Sequence, residues 1–151
     1  MSETSAAEPQ VYITLEEAIE IHRKTIEKSG GGAIGHFDLG RLDSVLQNIQ
    51  NDDYYPSFAD KLTHLFFCTC EFHCFEDGNK RLAITLSAQF LLSNGYMAIA
   101  NLFFRNMENI SYHVAAGRIN KELLGRIMTA ILNDSYDSDE VLKLDILHQI
   151  S

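Results

Sequence analysis

The chain is short of cysteine and of basic charge, and it has no long apolar run. Its three cysteines, Cys68, Cys70 and Cys74, fall within seven residues. Such crowding gives no disulfide framework for a secreted fold, so a reducing cytoplasm is the expected compartment. Twelve Lys and Arg stand against 21 Asp and Glu, a formal net charge of −9. So few cations exclude direct nucleic-acid binding through a broad phosphate-neutralising surface. A single small phosphate pocket needs only a few basic groups and stays open. No stretch reaches the roughly 20 apolar residues of a membrane span, so no membrane role is expected. The first ten residues, MSETSAAEPQ, are acidic and have no apolar core. They read as a disordered leader and not as a signal peptide.

What is there suits one soluble domain. The 151 residues are 46% hydrophobic and 22% charged, enough apolar material for a single core. Thr14-Leu15-Glu16-Glu17 has capping-box spacing, and Leu15, Ala18, Ile19, His22 and Ile26 then share one helical face. Lys24 and Lys28 suit the negative end of that helix dipole, and Ser29-Gly30-Gly31-Gly32 stops the helix. A second helix starts at Asp38, carries Leu39, Leu42, Val45, Leu46 and Ile49, and ends at Asn51-Asp52-Asp53. Tyr54-Tyr55-Pro56 makes a loop whose aromatics are expected to pack on the core.

A third helix spans 57–72, with Ser57 and Asp60 as its capping pair. It is apolar nearly all round in its second half, the mark of a central, buried helix. A fourth begins near Asn79 or Lys80 and stops at Ser93-Asn94-Gly95. Residues 96–104 are expected to be a short extended piece. Helices near 107–116, 120–132 and 138–149 follow, with Asn120 and Ser138 as N-caps. Strand signals are scarce and no internal repeat is present, so the expected class is all-α.

Cys68, Cys70, His73 and Cys74 suggest zinc at first sight. On a helix, however, residues two apart point about 200° away from each other. Cys68 and Cys70 then cannot share a metal, and no further cysteine exists to complete a site. Three small buried hydrophobes are the better reading, and zinc is not expected.

The nine residues after Phe72, His73-Cys74-Phe75-Glu76-Asp77-Gly78-Asn79-Lys80-Arg81, join two buried helices. Phe75 is suited to anchor the turn in the core. Gly78 permits a sharp turn and close approach. Backbone N–H groups at Asn79, Lys80 and Arg81 would open a helix N-terminus, a ready anion site. Lys80 and Arg81 add cationic groups for phosphate oxygens. The Asp77 carboxylate is suited to a Mg2+ ion, and a neutral His73 to taking a proton from an attacking hydroxyl. Each residue also has a structural use alone, as a cap or a solvated charge. Their concentration in nine residues favours chemistry.

This stretch resembles the signature of the Fic/Doc (Fido) family, H-x-F-x-[D/E]-[G/A]-N-x-R. Tyr12 to Ile26, the pattern Gly40-x-Leu42-x-Ser44-x-Leu46 and Leu91 to Tyr96, "LLSNGY", extend the likeness to Doc, or death-on-curing, toxins. The resemblance implies a compact Fido helical bundle of about seven helices. Residues 1–10 would be the leader, 11–135 the Fic/Doc domain and 136–151 an acidic, helical C-terminal extension. It implies a transferase that moves part of ATP or another nucleoside triphosphate onto a Ser, Thr or Tyr hydroxyl of a target protein. His73 would be the base, Asp77 the Mg2+ ligand, and Gly78, Asn79, Lys80 and Arg81 the phosphate-binding residues.

Two positions depart from the AMP-transferring pattern G-N-G-R-x-x-R: Lys80 replaces its second Gly, and Ile84 its second Arg. Doc-type members share both changes and resemble kinases, so phosphorylation is expected first and AMPylation second. The inhibitory pattern [S/T]-x-x-x-E-[G/N] does not occur in this sequence. Any restraint would then come from a separate antitoxin. A catalytically silent Fido module and a structural metal domain are the alternatives from other classes.

Overall fold

Seven α-helices follow one another along the chain, and no strand occurs among the described residues. The computed structural model describes residues 9–28, 35, 38–72 and 78–151. Most of the leader, the glycine turn at 30–32, and His73 to Asp77 lie outside them.

The helices are α1 (Leu15–Lys28), α2 (Leu39–Asn48), α3 (Phe58–Glu71), α4 (Asn79–Ser93), α5 (Met97–Ala115), α6 (Lys121–Leu132) and α7 (Glu140–Ile150). Local chemistry starts most of them. Thr14 accepts from the Glu17 backbone N–H at 3.2 Å, and the Glu17 carboxylate accepts from the Thr14 N–H at 3.0 Å. Ser57 and Asp60 make the same reciprocal box on α3. Asp38, Asn120 and Asp139 cap α2, α6 and α7 through their side chains. The last corrects Ser138 by one residue: the Ser138 hydroxyl donates instead to the Ser135 carbonyl. α2 also closes earlier than expected, at Asn48, with Ile49 as its C-cap.

The expected extended piece over 96–104 is helical, and α5 runs unbroken from Met97. Ala100, Phe103, Met107, Ile110 and Val114 are all buried, three and four residues apart. That spacing makes one face of a helix and buries five side chains together. It outweighs the strand preference of the aromatic and branched residues around it.

α3 is central, packing against α2, α4, α5 and α6. Its Leu62, Leu65 and Phe66 have no exposed surface. Burial of each such side chain contributes on the order of 1.5–3 kcal/mol. Phe58 stacks on Phe90 at 4.7 Å and on Tyr96 at 4.9 Å, joining the start of α3 to the end of α4. Tyr12 also stacks on Phe90, at 6.0 Å. The Asn94 side chain, at the end of α4, accepts from Val11 N–H at 2.8 Å and donates to Val11 O at 2.9 Å. α7 adds Leu142 and Ile146 to the same core, while Val141, Leu144 and Leu147 face outward.

Lys61 on α3 is the exception to the rule that lysine stays wet. It is 1% exposed, and its Nζ donates to the Ile49 carbonyl and to Asp52, each at 2.7 Å. The lysine ties the end of α2 and the following turn to α3.

Candidate functional site

α1 and α4 run antiparallel: Val11, before α1, meets Asn94, and Ile26, near the end of α1, meets Gly78. Gly78 has φ +83° and ψ 16°, a left-handed conformation that turns the chain into α4. A Cβ there would stand 2.6 Å from Ile26 Cδ1 and 3.6 Å from His22 Nε2. α1 therefore packs directly on this glycine. Its carbonyl accepts from Leu82 N–H at 2.8 Å, closing the first turn of α4.

That first turn opens into a cleft of about 930 Å³ between α1, α4 and α5. Gly78, Asn79, Lys80 and Arg81 all line it, so four of the seven sequence-predicted site residues share one cavity. Lys80 and Arg81 are exposed, Gly78 and Asn79 half-buried. His73, Phe75 and Asp77 lie outside the described residues.

The charge of this cleft is opposite to that of the protein. Lys24, Lys28, Lys80 and Arg81 line it, against Glu108 as the one acidic residue among the described residues there. A third of the chain's 12 cations are thus gathered in one cleft. Elsewhere the cations are mostly engaged: Arg23 with Glu20 and Glu27, Arg41 with Asp38, Lys61 with Asp52, Arg126 with Asp145, Lys143 with Asp137. Away from the cations, Ile84, Ala88 and Leu92 of α4 and Phe104 and Tyr112 of α5 line the cleft, interleaved with the polar Thr85, Gln89, Glu108 and Ser111. The Thr25 and Thr85 hydroxyls meet within it at 3.2 Å.

Sequence reasoning missed two walls of this site. It read Lys24 and Lys28 only as partners of the helix dipole, although their i, i+4 spacing puts both on one face. It missed the α5 wall because residues 96–104 read as extended.

A second polar group, outside the cleft, surrounds His64. Lys121 Nζ stands 2.7 Å from His64 Nδ1, and Tyr55 Oη 3.3 Å from Nε2. An ammonium only donates, so Nδ1 accepts and the neutral ring donates through Nε2–H to Tyr55. Burial first, and the Lys121 charge second, push the His64 pKa down to about 4. Tyr55 packs over the His64 ring, centroids 4.5 Å apart, whereas Tyr54 is 78% exposed. The packing expected of both tyrosines holds for one.

Cys68 Sγ lies 3.6 Å from His64 Nδ1. Both Cys68 and Cys70 are buried on α3, and burial raises both thiol pKa values, Cys70 to about 12. Among the described residues no three His, Cys, Asp or Glu side chains are grouped to hold a metal ion. Nor is any helix among them long and apolar enough to cross a membrane.

Comparison with known proteins agrees with this architecture. The "Protein kinase doc" of Escherichia phage P1 is 33% identical over 88 residues, covering 56% of this chain and 68% of that protein. The Fic/DOC family matches residues 12–91, which takes in α1 to α3 and all but the last two residues of α4, its cleft-lining start included. The chain belongs to the Fic/DOC family.

Proposed function

We propose that this protein is a protein-modifying transferase that moves the terminal phosphoryl group of a nucleoside triphosphate, ATP first, to a hydroxyl of a target protein. The observation that carries this reading is the cleft at the N-terminus of α4, where Lys80 and Arg81 stand exposed in a cation-lined cavity. Phosphoryl transfer depends mainly on positioning and charge neutralisation, and such a cavity supplies both. The likeness to a relative named as a protein kinase supports the same choice.

In this scheme the His73 imidazole takes the proton of the acceptor Ser, Thr or Tyr hydroxyl. The oxygen bonds to the terminal phosphorus as the bond to the bridging oxygen breaks. The nucleoside diphosphate leaves with the electron pair of that bond. Arg81 and Lys80 pair with phosphate oxygens, and Gly78 and Asn79 line the loop beneath them. The Asp77 carboxylate would hold Mg2+, which supplies further neutralisation of phosphate charge when bound. Phe75 would anchor the loop. Zinc has no part in the scheme.

Residues 11–135 would form the Fic/Doc domain, with 136–151 packed on it as an extension. The protein would act in the cytoplasm as a toxin, restrained by a separate antitoxin. The test is transfer to lysate proteins with Mg2+ and ATP labelled at the α or the γ phosphate. Label from γ alone, lost in His73→Ala, is the expected result. Label from α means AMP transfer. Equal labelling by wild type and His73→Ala, or none from either ATP, removes the proposal.

A further inference from the structure

We infer that Lys24 and Lys28 of α1 are nucleotide-binding residues: they form a second cationic wall that holds the polyphosphate tail from the side opposite Lys80 and Arg81. The inference rests on the nucleotide reading of this cleft and adds to it two residues from a different helix.

Three observations carry it. First, the two lysines are one helical turn apart on α1, both exposed, and both line the cleft into which the first turn of α4 opens. Second, among the described residues neither lysine has a carboxylate within ion-pair distance, and neither do Lys80 and Arg81. Five other cations of the chain do have such partners. Glu20, one turn before Lys24, is engaged by Arg23 in a bidentate contact, with bonds of 3.1 and 2.5 Å. In a protein of net charge −9, four cations in one cavity, none in an ion pair among the described residues, repel one another unless an anion joins them. Third, the α4 floor between the walls is apolar at Ile84, which is 6% exposed and brings no charge to the ligand. Among the described residues that line the cleft, the cations beyond Lys80 and Arg81 come from α1.

An anion with several closely spaced charges fits this arrangement better than a single carboxylate. A triphosphate tail has that character, and ammonium groups bind phosphate as mobile point charges. Lys28 already sits in the last turn of α1, where a cation is favoured by the helix dipole. That use explains one lysine, not the pair.

The test compares the full-length wild type with Lys24→Gln/Lys28→Gln and Lys24→Arg/Lys28→Arg. Binding of MgATP and of adenosine is measured by calorimetry, and KM and kcat by γ-label transfer. The Gln pair is expected to bind MgATP about tenfold or more weakly, from the loss of two charge-assisted phosphate contacts. Adenosine binding should not change, KM should rise more than kcat falls, and the Arg pair should keep the wild-type affinity. Unchanged MgATP affinity in the Gln pair overturns the inference, as does an equal loss for adenosine and MgATP. So does normal MgATP affinity with a raised KM for the acceptor protein, which would assign the lysines to an acidic acceptor segment.

The two readings fail separately. Lysine-dependent MgATP binding without any transfer retains the inference and removes the proposed reaction. Transfer with an unchanged KM in the Gln pair does the reverse. A wild type that binds no MgATP removes both.

Discussion

Gly78, the N-cap of α4, and Ile26 of α1 meet so closely that a Cβ on the glycine would lie 2.6 Å from Ile26 Cδ1. The same glycine has φ +83°, so a substitution is strained twice, by contact and by conformation. Gly78→Ala should lose about 1–2 kcal/mol through the left-handed backbone alone, with a further loss from the clash. Ile26→Val removes the offending Cδ1. In that background the cost of Gly78→Ala should fall but not vanish. Chemical denaturation of the four proteins in a double-mutant cycle measures both parts.

His64 gives the fold a pH dependence of definite sign. Its pKa is about 4 in the folded protein, against 6.5 as its ordinary value. The unfolded chain therefore binds the proton more readily. The contribution is fully present above pH 6.5 and is lost as the pH falls through about 4. His64→Gln should flatten the stability profile in that window. Lys121→Gln, which removes the charge at Nδ1, should raise the folded-state pKa and so make the loss smaller, ending at higher pH. Thermal melts between pH 4 and 7.5 distinguish these outcomes.

Lys61 is buried with its ammonium on the Ile49 carbonyl and on Asp52. Lys61→Met keeps most of the volume but strands the carbonyl. It should cost about 1–3 kcal/mol, the range for an unsatisfied buried polar group. Asp52 is largely exposed and can return to water. The carbonyl, not the carboxylate, should therefore account for most of the loss. Urea denaturation of Lys61→Met beside Asp52→Asn checks this order.

Cys68 and Cys70 should stay silent toward thiol reagents in the native protein, since burial disfavours both thiolates. Alkylation mapped by mass spectrometry should mark neither until denaturant is added. Replacing both by Ala should leave the metal content at zero zinc. A stoichiometric zinc ion lost in that variant would reverse the reading of the whole Cys/His cluster.

The local grammar of this chain is legible without coordinates. The boxes Thr14/Glu17 and Ser57/Asp60 and the caps Asp38 and Asn120 lie within four residues of their partners, so sequence spacing alone locates them. What was not legible needs the third dimension. The face of α5 runs Ala100, Phe103, Met107, Ile110, Val114, but Ile99, Leu102 and Phe104 crowd it with apolar residues facing elsewhere. The mixture hides the period. Lys61 reads as surface because nothing nearby in sequence announces Ile49 as its partner. Lys24 and Lys28 read as helix-end charges because the wall they face is more than 50 residues away. Of the candidate site, sequence alone pointed to the α4 side, where the chemistry is contiguous.

The clasp of Asn94 on Val11 has a mechanical consequence. α1 and α4 are riveted at both ends, by that clasp at one and by the Gly78–Ile26 contact at the other, with the Thr25–Thr85 bond between them. The cleft thus has one rigid jaw pair, whose gap is set when the chain folds. α5 completes the cleft, with Phe104 and Tyr112 half exposed along it. The gauge of this cavity is a side-chain amide more than 80 residues from the backbone it holds.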